Sequence, residues 1–146
     1  MKTSKLLSSI ALALPLVANA GGTHSIDLIC CSYHTDRTTE YNEVNPGIIY
    51  RYSPEASTTY YFAGGYKNSF SNISLMAGAG KEFEIAKYLT AGFGGGLVTG
   101  YSSDIVNRPI MPIGFGTVTV FGRVTGMVMP TPGGRVYGLT VKVGEW

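Results

Sequence analysis

Apolar and polar residues alternate one for one through the last part of this chain. Across 117–128, Val118, Val120, Val124 and Val128 fall on one face of an extended strand, with Thr117, Thr119, Arg123 and Thr125 on the other. Across 135–145, Tyr137, Leu139, Val141 and Val143 oppose Gly138, Thr140, Lys142 and Gly144. Successive side chains on a strand point to opposite faces, so a period of two puts one face in an apolar setting and the other in a polar or close-packed one. The pattern recurs upstream between turn residues and predicts eight strands, at 25–34, 47–53, 58–67, 73–83, 88–101, 110–115, 117–128 and 135–145. The even number, and lengths mostly near the ~9–11 residues of a tilted spanning strand, point to an all-β, eight-stranded antiparallel up-and-down barrel of the outer-membrane kind. A soluble lipocalin-like barrel, apolar inside and charged outside, is the structural alternative.

Composition favours the membrane form. Only 14% of residues are charged, while Gly numbers 20 and Tyr 10. No segment beyond residue 20 is apolar for long enough to span as a helix, so closed β-structure is the available route into a bilayer. At the N-terminus, Lys2 and Lys5, the apolar run 6–17 and Ala18-Asn19-Ala20 have the layout of a secretory signal peptide cleaved after Ala20. Residues 21–146 are then expected to form one barrel domain, exported to the outer membrane of a Gram-negative cell. Two of the 11 basic residues lie in that leader, so the rest balance the 9 acidic ones. With no basic stripe, a nucleic-acid partner is not expected. Cys30 and Cys31 are adjacent and would point to opposite faces of a strand, which suits neither a metal site nor an ordinary disulfide.

Connection lengths supply an independent argument. The turns at 53–56, 83–87 and 114–116 are short, whereas those at 35–46, 102–109 and 129–134 are longer. Outer-membrane barrels alternate short periplasmic turns with longer outer loops in this way. The connection at 68–72 is short for an outer loop. With both termini periplasmic, the ends of the first, third, fifth and seventh strands face outward.

That orientation brings two chemically capable residues together. The chain has two histidines, His24 and His34, and His34 ends the first strand at the outer rim. Ser69 lies at the outer end of the third strand, in Tyr66-Lys67-Asn68-Ser69-Phe70. A histidine and a serine at one rim can act as general base and nucleophile, or position an ester for transfer. Gly92, Gly94, Gly95 and Gly96 lie inside a strand and read as close packing or an open interior rather than a phosphate loop.

An ordered set of motifs resembles one family. Tyr41-Asn42-Glu43 with Pro46-Gly47 comes first, then Tyr66 to Phe70 leading to Ala77-Gly78-Ala79-Gly80-Lys81-Glu82. Ala91-Gly92-Phe93, Gly96-Leu97-Val98-Thr99, Pro109, Pro112 and Gly114-Phe115-Gly116 follow. Together they resemble the outer-membrane lipid A palmitoyltransferases (PagP type) over most of residues 21–146. The resemblance implies an eight-stranded barrel that moves a palmitoyl chain from a phospholipid to lipid A in the outer leaflet, without metal or cofactor. It assigns the catalytic histidine to His34, after Tyr33, and the catalytic Asp-Ser pair to Asn68-Ser69. Here the acid is replaced by an amide, which cannot take up a proton as a carboxylate does. The family's leading amphipathic helix finds no room in 21–23, and the first outer loop is shorter.

The resemblance implies further sites. The acyl pocket would be floored at Gly80, with Met76 and Gly78 on the same inward face, small residues leaving space in a narrow barrel. Pro46, Pro109 and Pro112 match prolines where the family interrupts strand pairing to admit lipid sideways, and proline does remove a ladder donor. Arg51, Glu82, Arg123 and Lys142 would form an inward polar cluster beneath the pocket. The partners expected are membrane lipids, phospholipid and lipid A, acting on a monomer. The alternative function is a non-enzymatic outer-membrane barrel that binds lipid or serves as an interaction surface.

Overall fold

A computed structural model describes residues 21–101 and 109–146. The signal peptide expected over 1–20 and most of the 102–109 connection lie outside the described residues. Eight antiparallel strands close in sequence order into one barrel: β1 (Gly22–His34), β2 (Val44–Pro54), β3 (Thr59–Lys67), β4 (Ile73–Ala86), β5 (Leu89–Thr99), β6 (Ile110–Val120), β7 (Val124–Thr131) and β8 (Gly134–Glu145). β8 pairs back onto β1, so no edge strand is left over. One end of the barrel, the rim end, carries the connections after β1, β3, β5 and β7. The other, the turn end, carries the remaining turns and both ends of the domain, where the backbones of His24 and Trp146 exchange two hydrogen bonds.

The alternation in the sequence becomes the barrel wall. Leu28, Ile48, Leu75, Phe93, Leu97, Val118, Leu139 and Val141 are exposed on the outer face, while Ile49, Tyr60, Phe62, Thr119 and Thr140 are buried inside. An apolar exterior around a partly polar interior reverses the lipocalin arrangement and matches a membrane barrel. Exposed aromatic residues mark both ends, with Tyr33 and Tyr137 toward the rim and Tyr61, Tyr88, Phe121 and Trp146 toward the turns.

Two connections differ from the sequence reading. The turn expected at 114–116 is interior to β6, and the chain reverses instead at Phe121 and Gly122, both with positive φ (53° and 62°). The Arg123 N–H closes this turn on the Val120 carbonyl at 3.1 Å. Positive φ at both central residues is what a tight I′-type hairpin needs, and phenylalanine there carries no turn signal. Val118 and Val120 therefore belong to β6, while Val124 and Val128 belong to β7. The connection expected to be long at 129–134 is also tight, since Thr131 pairs directly with Gly134 across Pro132 and Gly133.

The interior differs in one respect that bears on the pocket. Gly78 and Gly80 do face inward, but the adjacent strand fills their space. Phe62 pairs with Gly78 and Tyr60 with Gly80, and a methyl group on either glycine would run into those rings. Aromatic cover over a strand glycine lets the sheet bend sharply while keeping the wall packed. Small residues on β4 thus make room for those rings rather than open a void.

Candidate functional site

His34 sits at the rim end of β1 and is only 6% exposed. Its ring lies flat on Tyr41, with centroids 4.2 Å apart and planes 11° from parallel. Nε2 is 2.9 Å from the Ser69 hydroxyl. On the opposite side of the ring, one carboxylate oxygen of Glu43 accepts the His34 backbone N–H at 2.9 Å and lies 3.7 Å from Nδ1. Arg37 donates to the same oxygen at 3.1 Å. The His34 N–H, with Arg37 nearby, holds the Glu43 carboxyl below its ordinary range, so it is anionic at neutral pH. A proton on Nδ1, facing Glu43, leaves Nε2 to accept from Ser69, which is the tautomer a general base requires. The two residues singled out in the sequence therefore meet, with a third, Glu43, behind the histidine.

Ser69 is placed by an asparagine-built scaffold. Asn68 is fully buried, and its four side-chain hydrogen-bonding functions are all used. Its amide donates to Ser74 Oγ and to the Gly100 carbonyl, both at 2.9 Å. Its oxygen accepts the N–H groups of Phe70 at 2.9 Å and Asn72 at 3.0 Å. None of these four bonds goes to His34 or to the Ser69 hydroxyl, so Asn68 braces the turn that presents Ser69. A carboxylate there could not donate to Gly100, which gives the amide a physical reason. Asn42 ties the first loop on, its N–H bonding the Ser69 carbonyl at 2.8 Å and its side chain the Asn68 carbonyl at 3.1 Å. Asn45, also buried, donates to the Lys67 carbonyl at 3.0 Å and accepts from Ser32 at 2.6 Å.

Below this rim lies an interior cavity with largely apolar walls. Ser69, Tyr66 and Tyr101 line its upper part, and Met76, Phe115 and Met127 are among its apolar walls. Of the predicted pocket residues, Met76 reaches this space, whereas Gly78 and Gly80 lie behind Phe62 and Tyr60. The cavity reaches down to Tyr60, Asp27 and Arg51. Arg51 makes a two-pronged ion pair with Glu82 and covers the Tyr60 ring at 3.7 Å. Lys142 lines the polar space around that pair but bonds Glu145, while Arg123 is exposed in the β6–β7 turn and takes no part in the cluster.

The prolines fall where pairing is interrupted. The β6–β7 ladder stops at Gly116 and Val128, although β6 continues toward the rim to Ile110 and β7 to Thr131. Pro112 is on the unpaired side of β6, and exposed Pro109 precedes that strand. Pro46 lies beside the irregularity between Ile29 and Cys31 in the β1–β2 ladder. There the Asn45 side chain bridges toward β3, so the β6–β7 seam is the wider break.

Three residues of this site gave little signal in the sequence. Glu43 sits in a quoted motif, but only the folded loop turns it toward His34. Tyr66 and Tyr101 are 35 positions apart and their hydroxyls meet at 2.8 Å. Tyr60, Tyr61 and Phe62 put aromatic residues on both faces of β3, so its alternation does not single out Tyr66.

No protein-family model matches the sequence, and neither does any curated protein. A solved structure titled as de novo design of transmembrane β-barrels is similar in fold, with a TM-score of 0.51 and 17% identity. The match covers 86% of this chain and 98% of that one, so the likeness in fold spans nearly the whole described barrel.

Proposed function

We propose that this chain is an outer-membrane acyltransferase that moves an acyl chain from a phospholipid to lipid A, exported by a cleaved signal peptide. The observation that carries the reading is the 2.9 Å contact between His34 Nε2 and Ser69 Oγ at the mouth of an apolar cavity that Ser69 itself lines. The ordered resemblance to the lipid A palmitoyltransferases and the open β6–β7 seam support it. His34 takes the Ser69 proton as Oγ attacks the donor ester, and returns it to the departing lysophospholipid oxygen. The acceptor hydroxyl then gives its proton to His34 as it attacks the acyl ester, and His34 passes that proton to the departing Ser69 Oγ, which restores both groups. Glu43, 3.7 Å from Nδ1 and so beyond hydrogen-bond reach, stabilises the protonated ring by its charge, a looser form of the part the acid plays in a serine–histidine–acid triad. Asn68 serves as a brace. The acyl chain lies in the cavity, and donor lipid enters through the seam beside Pro112.

Purified protein, a phospholipid with a labelled palmitoyl chain and lipid A provide the test. Label is expected on lipid A with the parent and lost with His34→Ala and Ser69→Ala. A folded parent that transfers nothing overturns the enzyme reading and leaves a lipid-holding barrel. Transfer that survives both substitutions overturns the assignment of residues.

A further inference from the structure

A serine that attacks an ester creates an oxyanion, and the donor for it is usually the backbone N–H of the residue after the nucleophile. In this turn that group is already engaged. The Phe70 N–H donates to Asn68 Oδ1, as does that of Asn72. The Ser71 N–H goes to the Asn68 carbonyl, and the Asn68 N–H to the carbonyl of Asn72. Asn68 thus consumes the peptide donors that follow Ser69.

The geometry points to the Tyr101 hydroxyl, held by Tyr66, as the oxyanion-binding group for acyl transfer at Ser69. Tyr101 reaches the site from just beyond β5. Its hydroxyl contacts that of Tyr66 at 2.8 Å and interacts with the Ser69 hydroxyl. Its ring meets Phe70 edge-on at 6.0 Å and 88°, which fixes its direction. Tyr66, Ser69 and Tyr101 all line the cavity in which the chain would lie. An oxyanion forms one bond beyond the attacked carbon, so its donor belongs beside Oγ, about 2.7–3.1 Å from the new oxygen. Burial pushes the Tyr101 phenol above its ordinary range, so it stays an O–H donor at neutral pH. Tyr66 holds that hydroxyl at 2.8 Å, which keeps it in place as charge develops.

This inference rests on the acyltransferase reading, and its test separates the two. Transfer kinetics are measured for the parent, Tyr101→Phe, Tyr66→Phe and, as a control, Tyr88→Phe at the turn end. Tyr101→Phe is expected to lower kcat by about 10²–10³-fold with KM little changed. Tyr66→Phe should cost less, and Tyr88→Phe nothing. In parallel, a fluorophosphonate probe that forms a tetrahedral adduct on Ser69 is expected to label Tyr101→Phe more slowly than the parent. Heat-shifted gel mobility reports whether each barrel has folded. Should Tyr101→Phe not fold, 3-fluorotyrosine at 101 keeps the ring and hydroxyl and is expected to retain transfer with a changed pH profile. An active parent whose kcat is unaffected by Tyr101→Phe, or a 3-fluorotyrosine protein with the parental profile, overturns the oxyanion role alone. A parent with neither transfer nor labelling overturns both.

Discussion

The barrel holds polar groups at two levels of its interior, and they are built differently. Near the turn end, Arg51 and Glu82 satisfy one another in a two-pronged pair, and the guanidinium also covers Tyr60. At the rim, buried asparagines spend their hydrogen bonds on neighbouring loops and strands, which leaves Ser69 against His34 and Tyr101 against Tyr66 at the cavity mouth. A charge pair closed on itself holds strands together and has nothing left to offer a reactant. The scaffolded rim keeps its reactive groups turned toward the space a ligand would occupy.

The sharpest break between the two levels separates rate from stability. His34→Ala or Ser69→Ala is expected to lower transfer by about 10²–10⁴-fold while changing the unfolding free energy by no more than about 1 kcal/mol. Arg51→Ala should do the reverse, leaving Glu82 without its partner and destabilising the barrel by about 3–5 kcal/mol in urea titration, with transfer by the folded fraction near the parental rate. If Arg51→Ala removed transfer from a fully folded barrel, the division between the levels would fail.

A smaller effect tests the brace. Asn68→Asp restores the acid that the palmitoyltransferase resemblance leads one to expect, yet places a carboxylate against the Gly100 carbonyl. It is expected to cost about 1–3 kcal/mol and to slow transfer. A gain in activity would mean that the acid belongs to the chemistry and the amide is a loss.

The smallest effect concerns pH. The Glu43 carboxyl is lowered from its ordinary 4.5, chiefly by the His34 N–H, and Asp36 from 3.8, chiefly by the Thr38 hydroxyl. A carboxyl lowered on folding stabilises fully above its unfolded value and loses that contribution as pH falls through its folded one. The protection factors of amide exchange at His34 and in the 35–43 loop should therefore fall as pH drops below 4.5, before the strand signal changes. No change in exchange there would remove Glu43 from its place behind the ring.

Much of this was legible in one dimension. The period of two placed eight strands and turned Val141 outward and Thr140 inward, because strand geometry translates parity directly into a face. Parity and up-and-down order also brought His34 and Ser69 to one end. What escaped depends on relations that parity does not encode. Phe121 at positive φ makes a turn without a turn residue. The Tyr60 and Phe62 rings cross to the neighbouring strand and occupy space that Gly78 and Gly80 alone suggest is free. Asn68 occupies the place of an acid, but its role follows from four partners spread between positions 70 and 100. Arg123 looked inward only because the β6–β7 turn was read seven residues too early.

The unpaired stretch between β6 and β7 also has a mechanical consequence. A hydrogen-bonded hoop shares load around its circumference only while it is unbroken. Cutting the lacing along one meridian turns the rim half of this cylinder into a split sleeve, fastened below by the rungs from Gly116–Val128 to Val120–Val124. Lateral pressure from a surrounding bilayer then concentrates strain at that slit, across the barrel from the β2–β3 pairing that Asn45 fastens to Lys67. The longest unlaced stretch thus lies in one wall, away from the arc bearing His34.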